Sequence, residues 1–255
     1  MTHHSYTPSC ILITGATGDF GIAMAQRYDA LGAKLILHGR SEDKLNAVAA
    51  NLKSDIHLMI FDCLDEQSIE DAFEALPGTH KDIDLLVNNA GGARGLGKFP
   101  DSALQDNLDM IGMNVTSLVS ITQRVIKGMA ERKKGHIVNI GSIAGNWPYP
   151  GGHVYCASKA FVKQFSLAIR ADLEGTNIRV TNIEPGIAET EFSLKRFKGD
   201  AEKARAVYAN TDPLTADDIA ECVFWSTTLP PHVNINTLEV MPQKQTFSAL
   251  SVERD

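Results

Sequence analysis

The chain has 255 residues, of which 44% are hydrophobic and 22% charged, and a formal net charge of −7. That length admits one large α/β domain or two small ones, and the composition is that of a chain able to bury a core rather than stay disordered. The acidic balance excludes a general polyanion binder, because phosphate neutralisation needs clustered Lys and Arg; no nucleic-acid partner is expected.

Short apolar runs alternate with amphipathic stretches from one end to the other. The strand-like runs are Cys10 to Thr14, Lys34 to His38, Ile56 to Ile60, Ile83 to Val87, His136 to Ile140, Ile178 to Ile183 and Thr237 to Val240. Wholly apolar strands alternating with helices predict a parallel sheet covered on both faces, a doubly wound α/β fold. No linker, repeat or charge block divides the chain, so residues 1–255 are expected to form a single domain. None of the apolar runs approaches the ~20 residues needed to span a bilayer, and Met1 to Ser9 lacks the basic and apolar regions of a signal peptide. A cytoplasmic chain with no membrane partner is expected. The cysteines, Cys10, Cys63, Cys156 and Cys222, form no CxxC pair, which fits a reducing compartment, and no HExxH or Cys/His cluster has metal-ligand spacing, so no metal is expected.

The first loop is Thr14-Gly15-Ala16-Thr17-Gly18-Asp19-Phe20-Gly21-Ile22, before a helix read as Ile22 to Leu31 and closed by Gly32. A glycine turn between a strand and a helix predicts a diphosphate site: Gly15 for the sharp turn, Gly18 for room, Gly21 for close helix packing, and the helix start for free N–H groups. At the end of the second strand stands Arg40, where an acidic residue would select a ribose 2′-hydroxyl; a guanidinium favours a 2′-phosphate and hence NADP(H). Glu42 and Asp43, which follow the N-cap candidate Ser41, are alternative ribose acceptors. Asp62 after the third strand reads as an acidic loop cap, and Asn88-Asn89-Ala90-Gly91 after the fourth as a polar turn.

Within Ala103 to Arg132, read as one long helix, Asn114 is a poor helix former. Ser142 ends the fifth strand, where its hydroxyl can meet a substrate oxygen. Tyr155 and Lys159, spaced i, i+4 in a helix read as Val154 to Leu173, share a face. A phenol of reference pKa near 10 needs a positive neighbour to exchange protons at neutral pH, and Lys159 is expected to lower it.

In this order and approximate spacing the glycine turn, NNAG, the mid-helix Asn, the Ser and the YxxxK pair resemble the short-chain dehydrogenase/reductase family, whose glycine turn has the form TGxxxGxG. The resemblance spans nearly the whole chain and implies a single Rossmann domain with a seven-stranded parallel sheet. It also implies hydride transfer between NADP(H) and a carbonyl carbon without metal. Tyr155 would be the acid/base, Lys159 its pKa-lowering and ribose-binding neighbour, Ser142 the oxygen stabiliser and Asn114 a relay support. Cofactor contacts are implied for Gly15, Thr17, Asp19, Phe20, Gly21, Arg40, Asp62, Cys63, Asn89, Ala90, Gly91, Tyr155 and Lys159. They are implied too for Pro185, Gly186, Ile187 and Thr190, which follow Glu184 as a loop beside the nicotinamide.

The segments 141–152, 196–200 and 232–239 resemble the bacterial NADP-dependent 3-hydroxy acid dehydrogenases, which implies a small hydroxy acid such as serine, L-allo-threonine, 3-hydroxyisobutyrate or 3-hydroxypropionate as substrate. A carboxylate wants a cation, for which Arg94, Arg196 and Lys198 are candidates, with Trp147 and His153 as pocket residues. The stretch 187–211 has the position of a substrate lid. The tail after Met241, with Phe247 and Leu250, is expected to pack against another subunit, and the family implies a homotetramer. Two other readings are a 3-oxoacyl or general ketone and aldehyde reductase, and a non-catalytic NADP-binding sensor.

Overall fold

Each apolar run becomes a strand; the five central ones bury both faces, while the two at the sheet edges are only partly buried. In the computed structural model, which describes residues 6–247, the strands are β1 (Cys10–Ile13), β2 (Lys34–Gly39), β3 (Ile56–Ile60), β4 (Leu85–Asn88), β5 (Gly135–Ile140), β6 (Ile178–Pro185) and β7 (Thr237–Val240). They form one parallel sheet in the order β3-β2-β1-β4-β5-β6-β7. Successive side chains point to opposite faces, so β1 feeds two cores at once. Ile11 and Ile13 join Leu35, Leu37, Met24, Tyr28 and Phe224 on one side, while Leu12 joins Ile36, Leu86, Ile121, Met129 and Val180 on the other. The sheet is covered on the first side by α1 (Asp19–Asp29) and α9 (Ala216–Thr228), and on the second by α5 (Ser117–Arg132) among others.

Local chemistry sets the helix ends. Ser41 accepts the Lys44 N–H at the start of α2 (Glu42–Ala49), Asp65 caps α3 (Glu66–Glu74), and Thr215 with Asp218 closes a reciprocal capping box on α9. The first helix begins three residues earlier than its apolar pattern, at Asp19, because an acidic side chain suits the positive end of the helix.

The stretch read as one helix is broken. It comprises α4 (Leu104–Ile111), a π-turn over Gly112–Thr116 and then α5. Between β5 and β6 lies α6 (His153–Asp172), and beyond β6 two short helices, α7 (Phe192–Arg196) and α8 (Ala201–Tyr208), occupy the expected lid. Connections leave β1 and β4, adjacent in the sheet, toward opposite sides, and this switch point at their carboxyl ends is where open α/β sheets hold ligands. All four cysteines are free, with Cys10 and Cys156 buried and Cys63 and Cys222 partly so.

Candidate active site

The carboxyl ends of the strands open into a cleft of about 560 Å³. Its far end is formed by Arg40, Asp62 and Cys63, its middle by the glycine turn and Asn89-Ala90-Gly91, and its near end by Ser142, Tyr155 and Lys159. Of the sequence candidates, Gly15, Thr17, Asp19, Phe20, Pro185, Gly186, Ile187, Thr190, Trp147 and Arg196 also line it.

The glycines of the first turn fall as GxxGxxG, and Asp19 stands where the TGxxxGxG form has its middle glycine. Gly15 has φ +65°, a conformation that disfavours a side chain. Gly21 does not line the cleft: a Cβ there would lie 2.5 Å from the Gly15 oxygen and 2.6 Å from Ala16 Cα, so its role is close packing of α1 on the turn. Asp19 lines the cleft and also ties down the segment before α7, since its Oδ2 accepts the Glu191 N–H at 2.7 Å.

The turn is braced from below by a residue that sequence reasoning missed. Gly15 N–H donates to His38 Nδ1 at 3.2 Å, and His38 Nε2 lies 3.2 Å from the Phe61 oxygen, with the His38 and Phe61 rings stacked 3.6 Å apart. An Nδ1 that accepts must be unprotonated, and burial agrees by lowering the imidazole to about 4. From the side, Asn89 Nδ2 donates to the Thr14 and Gly15 oxygens, while the Asn89 and Ala90 N–H groups donate to Thr14 Oγ1 at 2.9 Å. Asn88 lies deeper, bonded to Thr122 and Asn139.

This cradle fits a dinucleotide. Gly18 brings no side chain to cap the first N–H groups of α1, which leaves a positive helix end facing the cleft, suited to a diphosphate. Arg40 stands at the far end, 65% exposed, with Nη1 3.7 Å from Asp62 Oδ2, where a 2′-phosphate would find its guanidinium.

At the near end Tyr155, Lys159 and Asn114 are all buried. Lys159 Nζ donates to the Ile140 oxygen at 2.7 Å and lies 5.9 Å from the Tyr155 ring centroid. Burial lowers this ammonium to about 8. The expectation that Lys159 alone would pull the phenol toward neutrality is corrected by the structure. Burial pushes Tyr155 above its ordinary value and Tyr149 adds to the rise, while a hydrogen bond with Ser142 and the charge of Arg196 pull it back. Desolvation of a phenolate outweighs the attraction of cations in so dry a site. Asn114, held in the π-turn, clamps the loop after β4: its Nδ2 donates to the Gly92 oxygen and Ser158 Oγ, and its Oδ1 accepts the Gly92 N–H at 2.8 Å. A Cβ on Gly91 would lie 2.7 Å from that Oδ1.

The segment 187–211 borders the near end. Arg196 Nε donates to the Gly95 oxygen at 2.8 Å and Nη1 to the Tyr149 hydroxyl at 3.0 Å, with the guanidinium carbon 5.8 Å from the Tyr155 ring centroid. Lys198 is engaged elsewhere, 2.8 Å from Asp106 on α4. Arg94 and His153 are not among the residues that line the cleft: the Arg94 N–H contacts Met110 Sδ, and the His153 ring packs edge-on against Phe99, 5.2 Å away, at the start of α6. Tyr149, which bonds Arg196, was not singled out by sequence because the pair is 47 residues apart. Phe247 lies against Trp147 of its own chain, ring centroids 4.4 Å apart and tilted by 44°, and lines the cleft while staying half exposed; Leu250 lies outside the described residues.

A family model described as short chain dehydrogenase matches residues 9–201. The NADP-dependent 3-hydroxy acid dehydrogenase YdfG of Salmonella typhi is 50% identical over 96% of this chain and 99% of its own. The serine 3-dehydrogenase of Agrobacterium fabrum is 46% identical over 96% and 98%, and sulfoacetaldehyde reductase 2 of Chromohalobacter salexigens 47% over the same shares. Among solved structures, the closed form of a serine dehydrogenase complexed with NADP+ matches with a TM-score of 0.94 at 47% identity, covering 96% of this chain and 100% of that one. By the family model, by identity and by shape alike, the chain belongs to the short-chain dehydrogenase family.

Proposed function

We propose that this chain is an NADP(H)-dependent oxidoreductase interconverting a small 3-hydroxy acid and its 3-oxo acid. NADP(H), when bound, supplies or accepts the hydride. Ser142 hydrogen-bonds the substrate oxygen, and Tyr155 passes a proton to or from that oxygen. Lys159, fixed by the Ile140 carbonyl, holds positive charge beside the phenol and the ribose. Asn114 keeps the Gly92 loop and α6 in register behind them. The observation that carries the substrate class is Arg196. Its guanidinium has five N–H donors, and the Gly95 and Tyr149 bonds use Nε and Nη1, which leaves donors for a carboxylate held beside Tyr155. The names of the relatives support the same class, each acting on a compound with an anionic group a short distance from the reacting carbon.

The test follows reduced-nicotinamide absorbance with serine, L-allo-threonine, 3-hydroxyisobutyrate, 3-hydroxypropionate, the sulfonate isethionate and a neutral alcohol of equal size. The acids are expected to turn over and the neutral alcohol not. Arg196→Met should raise KM for the acids by about 10- to 100-fold, the equivalent of one or two charge-assisted hydrogen bonds. Faster turnover of neutral ketones or 3-oxoacyl thioesters than of the acids would favour the general-reductase reading instead.

The same proposal carries a homotetramer and a cytoplasmic location. Exposed Leu104, Leu108 and Ile111 on α4, and Phe161 and Leu167 on α6, support the first. Four free cysteines support the second. Among the described residues no helix is long and apolar enough to cross a membrane.

A further inference from the structure

The sheet's last strand pair ends at the active site: Pro185 is in register with Val240, and the Gly186 N–H donates to the Val240 oxygen at 2.7 Å. The chain then turns back on itself, with the Gln245 N–H donating to the Pro242 oxygen at 2.9 Å. That turn sends Gln245, Thr246 and Phe247 into the lining of the cleft. Gln245 Oε1 accepts the Ile187 N–H at 2.8 Å. The fit leaves no slack, since a Cβ on Gly186 would lie 2.3 Å from Gln245 Oε1 and 3.0 Å from Met241 Cγ. Two residues on, Phe247 meets Trp147, and both rings stay partly exposed along the rim, 49% and 40%.

We propose that the segment after β7 is a working wall of the active site. In it Gln245 is a positioning residue that fixes the Pro185-Gly186-Ile187 turn, and the Phe247–Trp147 pair limits the size of the substrate. The proposal rests on the 3-hydroxy acid reading for its choice of substrates. A backbone N–H at the tip of a loop is free to wander unless something accepts it. The Gln245 carboxamide accepts this one from a chain segment anchored in the sheet. Because hydride transfer falls steeply with misplacement, loss of that acceptor should slow the chemical step rather than loosen the cofactor.

The full-length protein is assayed with serine and NADP+, and NADP+ affinity is read separately by fluorescence. Gln245→Met keeps the side chain's length without a strong acceptor, and should lower kcat by about fivefold, the worth of one neutral hydrogen bond, with Kd for NADP+ within about twofold of wild type. Gln245→Glu keeps the acceptor oxygen and should recover most of that loss. Each variant is assayed well below its own melting midpoint, so that instability is not read as slow chemistry. Phe247→Ala should raise kcat/KM for phenylserine relative to serine by about tenfold, by removing the ring that limits the pocket. An unchanged kcat in Gln245→Met, an equal loss in Gln245→Glu, or NADP+ binding weakened well beyond twofold in Gln245→Met would overturn the positioning role. An unchanged phenylserine to serine ratio would overturn the size limit. If wild type oxidises no 3-hydroxy acid, the substrate reading fails alone; the Gln245 variants are then compared on whichever carbonyl the wild type reduces.

Discussion

The two ends of the cleft are built on opposite terms. At the far end Arg40 and Asp62 are largely in water, 65% and 44% exposed, and 3.7 Å apart. At the near end Tyr155 and Lys159 are each 8% exposed, and Arg196 and Phe192 from α7 lie beside the phenol. Charge at the far end is screened and can change partners at little cost, so it suits choosing between two nearly identical cofactors. Charge at the near end is desolvated, so each group there alters its neighbours strongly, which chemistry requires and selectivity alone does not.

Substitutions should widen or close that contrast. The largest effect belongs to the dry end: Tyr155→Phe removes one hydroxyl and should lower kcat by roughly 10³-fold or more, the scale of lost acid–base catalysis, while NADPH titration shows affinity near wild type. Residual turnover close to wild type would remove the phenol from the mechanism. At the wet end Arg40→Asp should raise KM for NADPH by about tenfold and leave NADH nearly unaffected, since an exposed guanidinium–phosphate contact is discounted by solvent. Equal changes for both cofactors would mean that Arg40 does not read the 2′-phosphate.

The smallest effect lies between the ends, under the glycine turn. His38 is held neutral down to about 4, below its ordinary 6.5. Between those values the unfolded chain binds a proton that the folded chain refuses, so stability is fully present above pH 6.5 and is lost as pH falls toward 4. Thermal melts of wild type and His38→Asn across pH 4 to 7 should show a steeper loss for wild type. Parallel curves would contradict a buried neutral imidazole.

What could be read from the chain divides by sequence distance. The central strands were legible because double burial demands apolar runs, and the Tyr155–Lys159 pair because i, i+4 is a property of one helix. The glycine turn was legible as a ligand loop, although Gly21 serves packing and Asp19 also ties down the segment before α7. Contacts such as Arg196 with Tyr149, Gln245 with Ile187 and Phe247 with Trp147 join segments far apart in the chain, and no local pattern encodes them. Arg94 and His153 drew notice because charge and ring chemistry are visible in a sequence, whereas which residues line the cleft is not. The phenol's shift was misjudged for a similar reason: a neighbouring lysine can be counted, whereas burial emerges only once distant segments pack around the hydroxyl.

The π-turn at Gly112–Thr116 ties function to architecture in one further way. A single wide turn adds a residue without ending the rod, so everything after it is rotated by ~100° relative to an uninterrupted α-helix. Excising one residue would regularise the rod, yet it would swing Ile121, Val125 and Met129 off the sheet as it freed the Asn114 amide. Evolution therefore has no cheap path to straighten this segment: the irregularity that sets Asn114 against the Gly92 loop is also the gear that keeps the hydrophobic stripe meshed.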